Sequence, residues 1–274
     1  MYKLVAIDLD GTLLDMNKEI SQRNREALSL AMEKGTRIVI CSGRVYTGAR
    51  LYARQIGSED PVIACNGAII TDRVDGEVVY SDNMEVEVCL KINEICKRHG
   101  IYYHVYAGDT MLTEKLGFTS QKYFEKNQAL PPEDRVDIEV VPDMSQKLRE
   151  LPGKVLKFVA VSDDRALLKA ARDDMEKIPE VDVMSSNYDN FEVMNKGVSK
   201  GAALKKLSEI LDIPAAQMMA IGDNENDISM LEYAGLSVVM ENGEECAKAA
   251  ADYITADNSR DGVAVAIEKF ILGA

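Results

Sequence analysis

Close to the N-terminus a short apolar run, Lys3–Ile7, breaks off into acidic residues. A run of that length bounded by turn residues predicts a buried strand. Arg23–Lys34 repeats its apolar positions at the helical period, with Ser21 placed to cap it and Gly35 to stop it. Arg37–Ile40 reads as a second buried strand ending at Cys41-Ser42-Gly43, Tyr46–Ile56 as a helix stopped by Gly57, and Val62–Ala64 as a third strand. Ile69–Thr71 and Val78–Tyr80 flank Asp75-Gly76, which reads as a hairpin turn. Strand and helix in alternation predict a parallel sheet with crossover helices.

The middle of the chain changes character. Val86–Arg98 predicts a helix ending near Gly100. Ile101–Ala107 predicts a strand with Tyr102, His104 and Tyr106 on one face and Ile101, Tyr103 and Val105 on the other. The first of these faces is expected to be solvated. Ala129–Asp134 holds Pro131 and Pro132 and reads as a loop, followed by a strand at Leu156–Val161, a helix at Arg165–Lys177 and a strand at Val181–Met184. From Lys200 the first pattern returns. Helices are expected at Gly201–Leu211, Ile228–Tyr233, Glu244–Ala251 and Val263–Phe270, and strands at Met218–Ile221 and Leu236–Val239. The expected fold class is α/β: a parallel-sheet core formed by residues 1–83 and 188–274, with an inserted α+β cap domain over residues 84–187.

Composition narrows the function. With 46% hydrophobic and 28% charged residues the chain can bury a substantial core. A formal net charge of -14 disfavours a nucleic-acid partner, because it repels phosphate backbones. A local pocket of metal and lysine can still take a phosphorylated metabolite. No apolar window is long enough to span a bilayer, and no secretory signal precedes the first strand. Cys41, Cys65, Cys89, Cys96 and Cys246 form no C-x-x-C pair and read as five small buried side chains in a cytoplasmic protein.

Four pieces carry candidate chemistry. Asp8-Leu9-Asp10-Gly11-Thr12 directly follows the first strand, and this pattern arises by chance at roughly one start in 10⁵. Ligands of open α/β sheets bind at the carboxyl ends of strands, where this loop sits. Two carboxylates two residues apart can divide the labour, one as nucleophile and metal ligand, the other moving protons. On its own the pattern also fits a plain Asx-type turn. Gly222-Asp223-Asn224-Glu225-Asn226-Asp227 follows another strand, so Asp8 and Asp223 offer part of an oxygen shell for Mg²⁺. Asp227 is a ligand, a support for the site, or simply an acidic residue at a helix start. Ser42, with Gly43 and Arg44, places a hydroxyl and helix-start amides where a phosphate would bind, though a simple N-cap serine looks the same. Lys200 stands at a helix N-terminus, where a cation needs a reason and a phosphoryl group supplies one. Lys196, also followed by glycine, is its rival. His99 reads as structural, and His104 as a structural residue that could also face a substrate.

These pieces, in this order, resemble the haloacid dehalogenase superfamily. The insert between Ser42 and Lys200, the Asn66-Gly67-Ala68 triplet and the Asn258–Phe270 stretch are similar to the Cof-type class IIB phosphatases, especially their sugar-phosphatase members. The resemblance implies a Rossmann-like core and a role for each residue. Asp8 becomes the aspartyl-phosphate, and Asp10 protonates the leaving alkoxide and then activates water. Ser42 and Lys200 hold phosphoryl oxygens, with Gly43, Arg44 and Asn226 alongside. Asp8, the Asp10 backbone carbonyl, Asp223 and, as ligand or support, Asp227 serve a Mg²⁺ cofactor. The substrate expected is a small phosphorylated metabolite, with a sugar phosphate favoured, and the cap is expected to close over it. Two alternatives share the core: a phosphomutase or phosphotransferase, and a non-catalytic phosphosugar-binding module. Whether the protein is a homo-oligomer stays open.

Overall fold

Leu4–Ile7 is buried at every position, as a strand covered on both faces requires. In the computed structural model, which describes residues 2–273, this strand lies inside a five-stranded parallel sheet. The strand order is Tyr253–Thr255, Leu236–Met240, Met218–Gly222, Leu4–Ile7, Arg37–Ile40. Ile7 stands beside Ile40 on one side and Ile221 on the other. The chain leaves Leu4–Ile7 toward one edge and fills the other side only with later segments. The order of strands therefore reverses between Leu4–Ile7 and Met218–Gly222, the place where such sheets bind ligands. A short sheet of Val62–Ala64, Ile69–Thr71 and Val78–Ser81 accompanies them. Ser21 caps the Gln22–Glu33 helix by accepting from Asn24 N. Alanine and leucine from Lys200–Leu211 join Leu4, Ala6 and Ala220 in one apolar cluster.

The fold divides into two compact units. One comprises Met1–Arg44, Ala49–Tyr80 and Ser199–Ala274; the other comprises Val45–Gly48 and Ser81–Val198. Asn190–Asn195, beyond the expected break at residue 187, is a strand that pairs with Val155–Val161 and Val181–Met184. Its alternation puts Phe191 and Val193 into the apolar cluster of the second unit. Backbone pairing of that strand is what carries the second unit on to Val198. The six-stranded sheet there runs Val181–Met184, Asn190–Asn195, Val155–Val161, Tyr102–Ala107, Thr110–Thr113, Asp137–Val140. Helices Val86–His99 and Arg165–Met175 contribute Ile92, Cys96 and Leu168 to its core.

Two expectations change. The face carrying Tyr102, His104 and Tyr106 is not solvated: the three are 8%, 0% and 4% exposed. Across that face Lys157 Nζ donates to Glu192 Oε2 at 2.6 Å, with both side chains buried. Tyr102 OH donates to Ser120 Oγ at 2.6 Å. Neither ring nitrogen of His104 has a hydrogen-bond partner. The other correction concerns the cysteines. Cys41, Cys65, Cys89 and Cys96 are buried, but Cys246 is exposed. His99 is structural, its Nε2 lying 2.9 Å from Asp174 Oδ2. Among the described residues no helix is long and apolar enough to cross a membrane.

Burial, with the nearby Lys157 charge, pushes the His104 imidazole down to about 3. A depressed folded pKa means that the unfolded chain takes the proton first as pH falls below its own value of about 6.5. Stability is then lost from that pH downward, by about 1.4 kcal/mol per pH unit, until the folded pKa is reached. Replacing His104 by leucine removes this contribution. Between pH 6.5 and 5 the variant should lose about 2 kcal/mol less than the parent protein, read by denaturant unfolding at the two pH values.

Candidate active site

The carboxyl ends of two neighbouring strands supply the centre of the site. Asp8 follows Ile7, and its amide donates to Ile221 O at 3.0 Å, which continues the parallel ladder one residue past the strand. Asp223 follows Gly222 on the adjoining strand. Thr12 Oγ1 donates to Asp223 Oδ1 at 2.6 Å and so ties the two loops together. Gly11 makes the approach possible. Its φ is +89°, and a Cβ there would lie 2.3 Å from Asp223 Oδ2.

Lys200 enters from the first turn of the Lys200–Leu211 helix, which Ser199 caps by accepting from Ala202 N. Its Nζ donates to Asp8 Oδ1 at 2.5 Å and to Asp227 Oδ1 at 2.6 Å, and the lysine has no exposed surface. The helix can come this close because residue 201 is glycine: a Cβ on it would lie 2.1 Å from Ser229 O. Lys196 is exposed, outside the unit that holds the strand ends, with its amide on Glu180 O. Geometry thus separates the two lysines.

Asp227 has both oxygens in use. Oδ1 accepts from Lys200, and Oδ2 accepts from the amides of Asp223 at 2.9 Å and Asn224 at 3.0 Å. It shapes the turn that carries Asp223 as well as holding the lysine. Ligand atoms of Asp8, Asp223 and Asp227 lie within 4.8 Å of one another, all buried. Three carboxylates against one ammonium leave two negative charges if all are ionised. Burial, and the carboxylates facing one another, push the Asp8 and Asp223 pKa values upward. Burial opposes the Lys200 ammonium, but Asp227 and Asp8 outweigh it and hold its pKa well above the usual lysine value. A cluster of hard oxygen donors with two surplus charges fits a divalent cation such as Mg²⁺.

Asp10 points elsewhere. Arg44 Nε donates to its Oδ2 and Arg44 Nη2 to its Oδ1, each at 2.7 Å, and Lys18 Nζ donates to Oδ1 at 2.8 Å. Crowding around the carboxyl works to raise its pKa, yet Arg44 and Lys18 hold it well below the usual carboxylate range. The Asp10 side chain is therefore not part of the acidic cluster, which leaves its backbone carbonyl as its candidate metal ligand. The Arg44 guanidinium, expected beside a phosphate, is committed to this carboxylate. Ser42 is buried, and its Oγ accepts from Arg44 N at 3.3 Å. Gly43 lies between them in the turn that precedes the Tyr46–Gln55 helix. Asn226 Nδ2 donates to Asn66 Oδ1 at 3.2 Å, joining two loops of the core.

Residues not singled out in the sequence complete the picture: Lys18, Tyr52 under Arg44, and Asn242, whose Nδ2 donates to Gly11 O at 2.8 Å. Spacing carried no signal for Tyr52 or Asn242. Lys18 carries a faint signal, as the only lysine in the loop that follows the Asp8–Thr12 motif.

Similarity to known proteins agrees with this geometry. Residues 5–267 match the haloacid dehalogenase-like hydrolase family. The chain is 31% identical to the pyridoxal phosphate phosphatase YbhA of Escherichia coli (strain K12), covering 96% of each chain. It is also 31% identical to the 5-amino-6-(5-phospho-D-ribitylamino)uracil phosphatase YcsE of Bacillus subtilis (strain 168), covering 98% of this chain and 96% of the relative. A crystal structure of a haloacid dehalogenase-like hydrolase from Bacteroides thetaiotaomicron superposes with a TM-score of 0.83 at 31% identity, covering 98% and 99% of the two chains. A chain matched by that family over nearly its whole length, with relatives named phosphatases and a buried lysine and acidic cluster at adjoining strand ends, belongs to the haloacid dehalogenase-like hydrolases of the Cof type, as a phosphatase acting on phosphoric monoesters.

Proposed function

We propose that the enzyme is a Mg²⁺-dependent phosphatase for small soluble phosphomonoesters, with sugar phosphates the favoured class, and that it works through an aspartyl-phosphate on Asp8. The observation that carries this reading is the buried Lys200 ammonium shared by Asp8 and Asp227 at the strand ends. Phosphoryl transfer asks a protein mainly for positioning and charge neutralisation. Lys200, gripping Oδ1 of Asp8, fixes the nucleophile's rotamer and brings a positive charge to phosphoryl oxygens. The Ser42 hydroxyl and the Gly43 amide contribute donors, and Asn226 orders the neighbouring loop. Asp8, Asp223 and the Asp10 backbone carbonyl would hold Mg²⁺, with Asp227 supporting them, and the ion would supply further neutralisation of the phosphoryl group.

Asp8 forms a bond to phosphorus while the bond from phosphorus to the ester oxygen breaks, and Asp10, which must first take up a proton against the pull of Arg44 and Lys18, gives it to that oxygen. Asp10 then takes a proton from the water that attacks the aspartyl-phosphate, releasing inorganic phosphate and restoring Asp8. Arg44 serves this cycle through Asp10 rather than by gripping phosphate. We take residues Ser81–Val198 as the unit that selects among substrates, because the core residues named above are all engaged in phosphoryl transfer. Two relatives are named for small phosphate esters, one of pyridoxal and one of a ribitylamino compound, which supports a small substrate and widens the panel to be tried.

The test is kcat/KM across sugar phosphates, pyridoxal phosphate, a ribityl phosphate, nucleotides and a phosphopeptide. A small phosphate should lead, and preference for the phosphopeptide would overturn the substrate class. With the best substrate, Asp8→Asn should lower turnover by at least roughly 10³-fold while leaving the circular dichroism spectrum unchanged.

Lys200→Ala should cost on the order of 10²-fold or more in kcat, since it removes a charge from a buried site. Lys196→Ala should leave turnover near the parent value, measured in the same assay.

Activity should disappear in excess chelator and return on addition of Mg²⁺. Full activity in chelator would rule out the shared metal site.

A further inference from the structure

Cys65, Asn66 and Gly67 follow one another in the left-handed region of backbone space, with φ of +51°, +56° and +97°. Glycine enters that region freely and asparagine more readily than most residues, but cysteine does not. Among the described residues no other two adjacent non-glycine residues share a positive φ. All three are buried. Strain of this kind persists only where the surroundings impose it, and it gathers at functional sites.

The surroundings here are the segments assigned to holding phosphoryl oxygens. Cys65 N donates to Arg44 O at 2.8 Å, and Asn66 N donates to Ser42 O at 3.0 Å. Successive amides of the turn thus clasp both ends of Ser42-Gly43-Arg44. From the other side Ser42 N donates to Ile63 O at 2.9 Å, so the serine hydroxyl swings from a fixed backbone. The turn also abuts the start of the Lys200 helix: a Cβ on Gly67 would lie 2.2 Å from Ser199 O. The Asn66 side chain reaches a third segment. Its Oδ1 accepts from Asn226 Nδ2 at 3.2 Å, and the next residue, Asp227, accepts from Lys200 Nζ at 2.6 Å. All of these residues belong to one compact unit.

We infer that Asn66 is a positioning residue that sets the spacing between Ser42 and Lys200, the two groups that hold the phosphoryl oxygens. The inference rests on the proposed reading of those two residues as phosphate holders. Asn66 serves them by separate arms. Its backbone amide fixes Ser42, and its side-chain carbonyl fixes the loop of Asn226 and Asp227 that steadies the Lys200 ammonium. Asparagine meets both demands, because it tolerates the left-handed conformation and carries an uncharged acceptor. Glycine would satisfy the first arm only, and aspartate would add a negative charge to a site for an anion. Loss of Asn66 therefore falls on the hold over the phosphate group itself, whether it is being transferred or is bound as the inorganic product.

Competition by inorganic phosphate separates this role from a structural one. A variant that merely folds less well loses active enzyme, so its apparent kcat falls in step with the folded fraction while the Ki of phosphate stays at the parental value. Asn66→Gly keeps the left-handed backbone and the amide that serves Ser42, and removes only the side chain. In the full chain with Mg²⁺ it should raise the Ki of inorganic phosphate and lower kcat per folded molecule, each on the order of tenfold. Asn66→Ala lacks the same side chain and also resists the left-handed conformation, so its Ki should rise further. Lys200→Ala should raise the Ki in the same assay. A parental Ki in Asn66→Gly beside a raised Ki in Lys200→Ala would overturn the role of Asn66 alone. Parental values in both variants would overturn the reading of the phosphate site as well.

Discussion

Lys200 is a fully buried cation held between two carboxylates, and much of the core is arranged to make that placement tolerable. An ammonium taken out of water loses several kcal/mol of hydration, and in a protein interior this is recovered only with excellent geometry. Here Asp8 and Asp227 provide it, each through one oxygen. Removing one member of such a buried set typically costs about 3–5 kcal/mol, because the remaining charge is left without compensation. The interaction is also what gives the site its chemical sign. One cation cannot balance Asp8, Asp223 and Asp227, so the cluster is built to accept positive charge from outside the chain. Burial and mutual repulsion raise the Asp8 and Asp223 carboxyl pKa values.

That arrangement explains the composition of the motifs better than loop flexibility does. Residue 201 is glycine because the Lys200 helix must touch Ser229 backbone, and residue 11 is glycine because Asp223 occupies the space of its missing side chain. Thr12, 211 positions away, and Asp227, four residues on in the same turn, then secure Asp223, while Asn242 holds Gly11 O in the facing loop. A second charge system, Arg44 and Lys18 around Asp10, is kept separate from the first. The two aspartates of the Asp8-Leu9-Asp10 segment therefore differ in state as well as in place. One is buried beside a lysine with its pKa raised, the other is clamped as an anion by two cations.

How much of this could be read from residues alone depends on the range of the interaction. The parallel core was legible, because strands such as Leu4–Ile7 are continuous apolar runs and the motifs sit at their ends. So was the meeting of Asp8 and Asp223, since a strand-end rule places distant loops together, and Lys200 stood out as a cation at a helix start. Arg44 lies beside the expected residues, while its pairing with the Asp10 carboxylate and its place over the Tyr52 ring depend on side-chain contacts that spacing does not reveal. Asn190–Asn195 is not evident although Phe191 and Val193 alternate with polar positions; its asparagine flanks resemble a loop, and pairing with Val155–Val161 and Val181–Met184 makes it a strand. The Tyr102–His104–Tyr106 face was taken as solvated because polar groups alternate along it, and alternation says nothing of what covers a face.

The central strand of the sheet has one neighbour close in sequence and one very distant. Arg37–Ile40 follows within a few dozen residues, but Thr12 and its partner Asp223 are 211 positions apart. At a synthesis rate of about 5–20 residues per second, roughly 10 to 40 seconds separate their emergence from the ribosome. By the end of that interval Ser81–Val198 has every residue of its six-stranded sheet at hand, while the edge of Leu4–Ile7 that will meet Met218–Gly222 still has nothing to pair it. The unit Ser81–Val198 thus has its whole sheet before the five-stranded sheet has its own. Until Met218–Gly222 arrives, that edge of Leu4–Ile7 is an unpaired apolar strand edge, the kind of surface a chaperone has reason to shield.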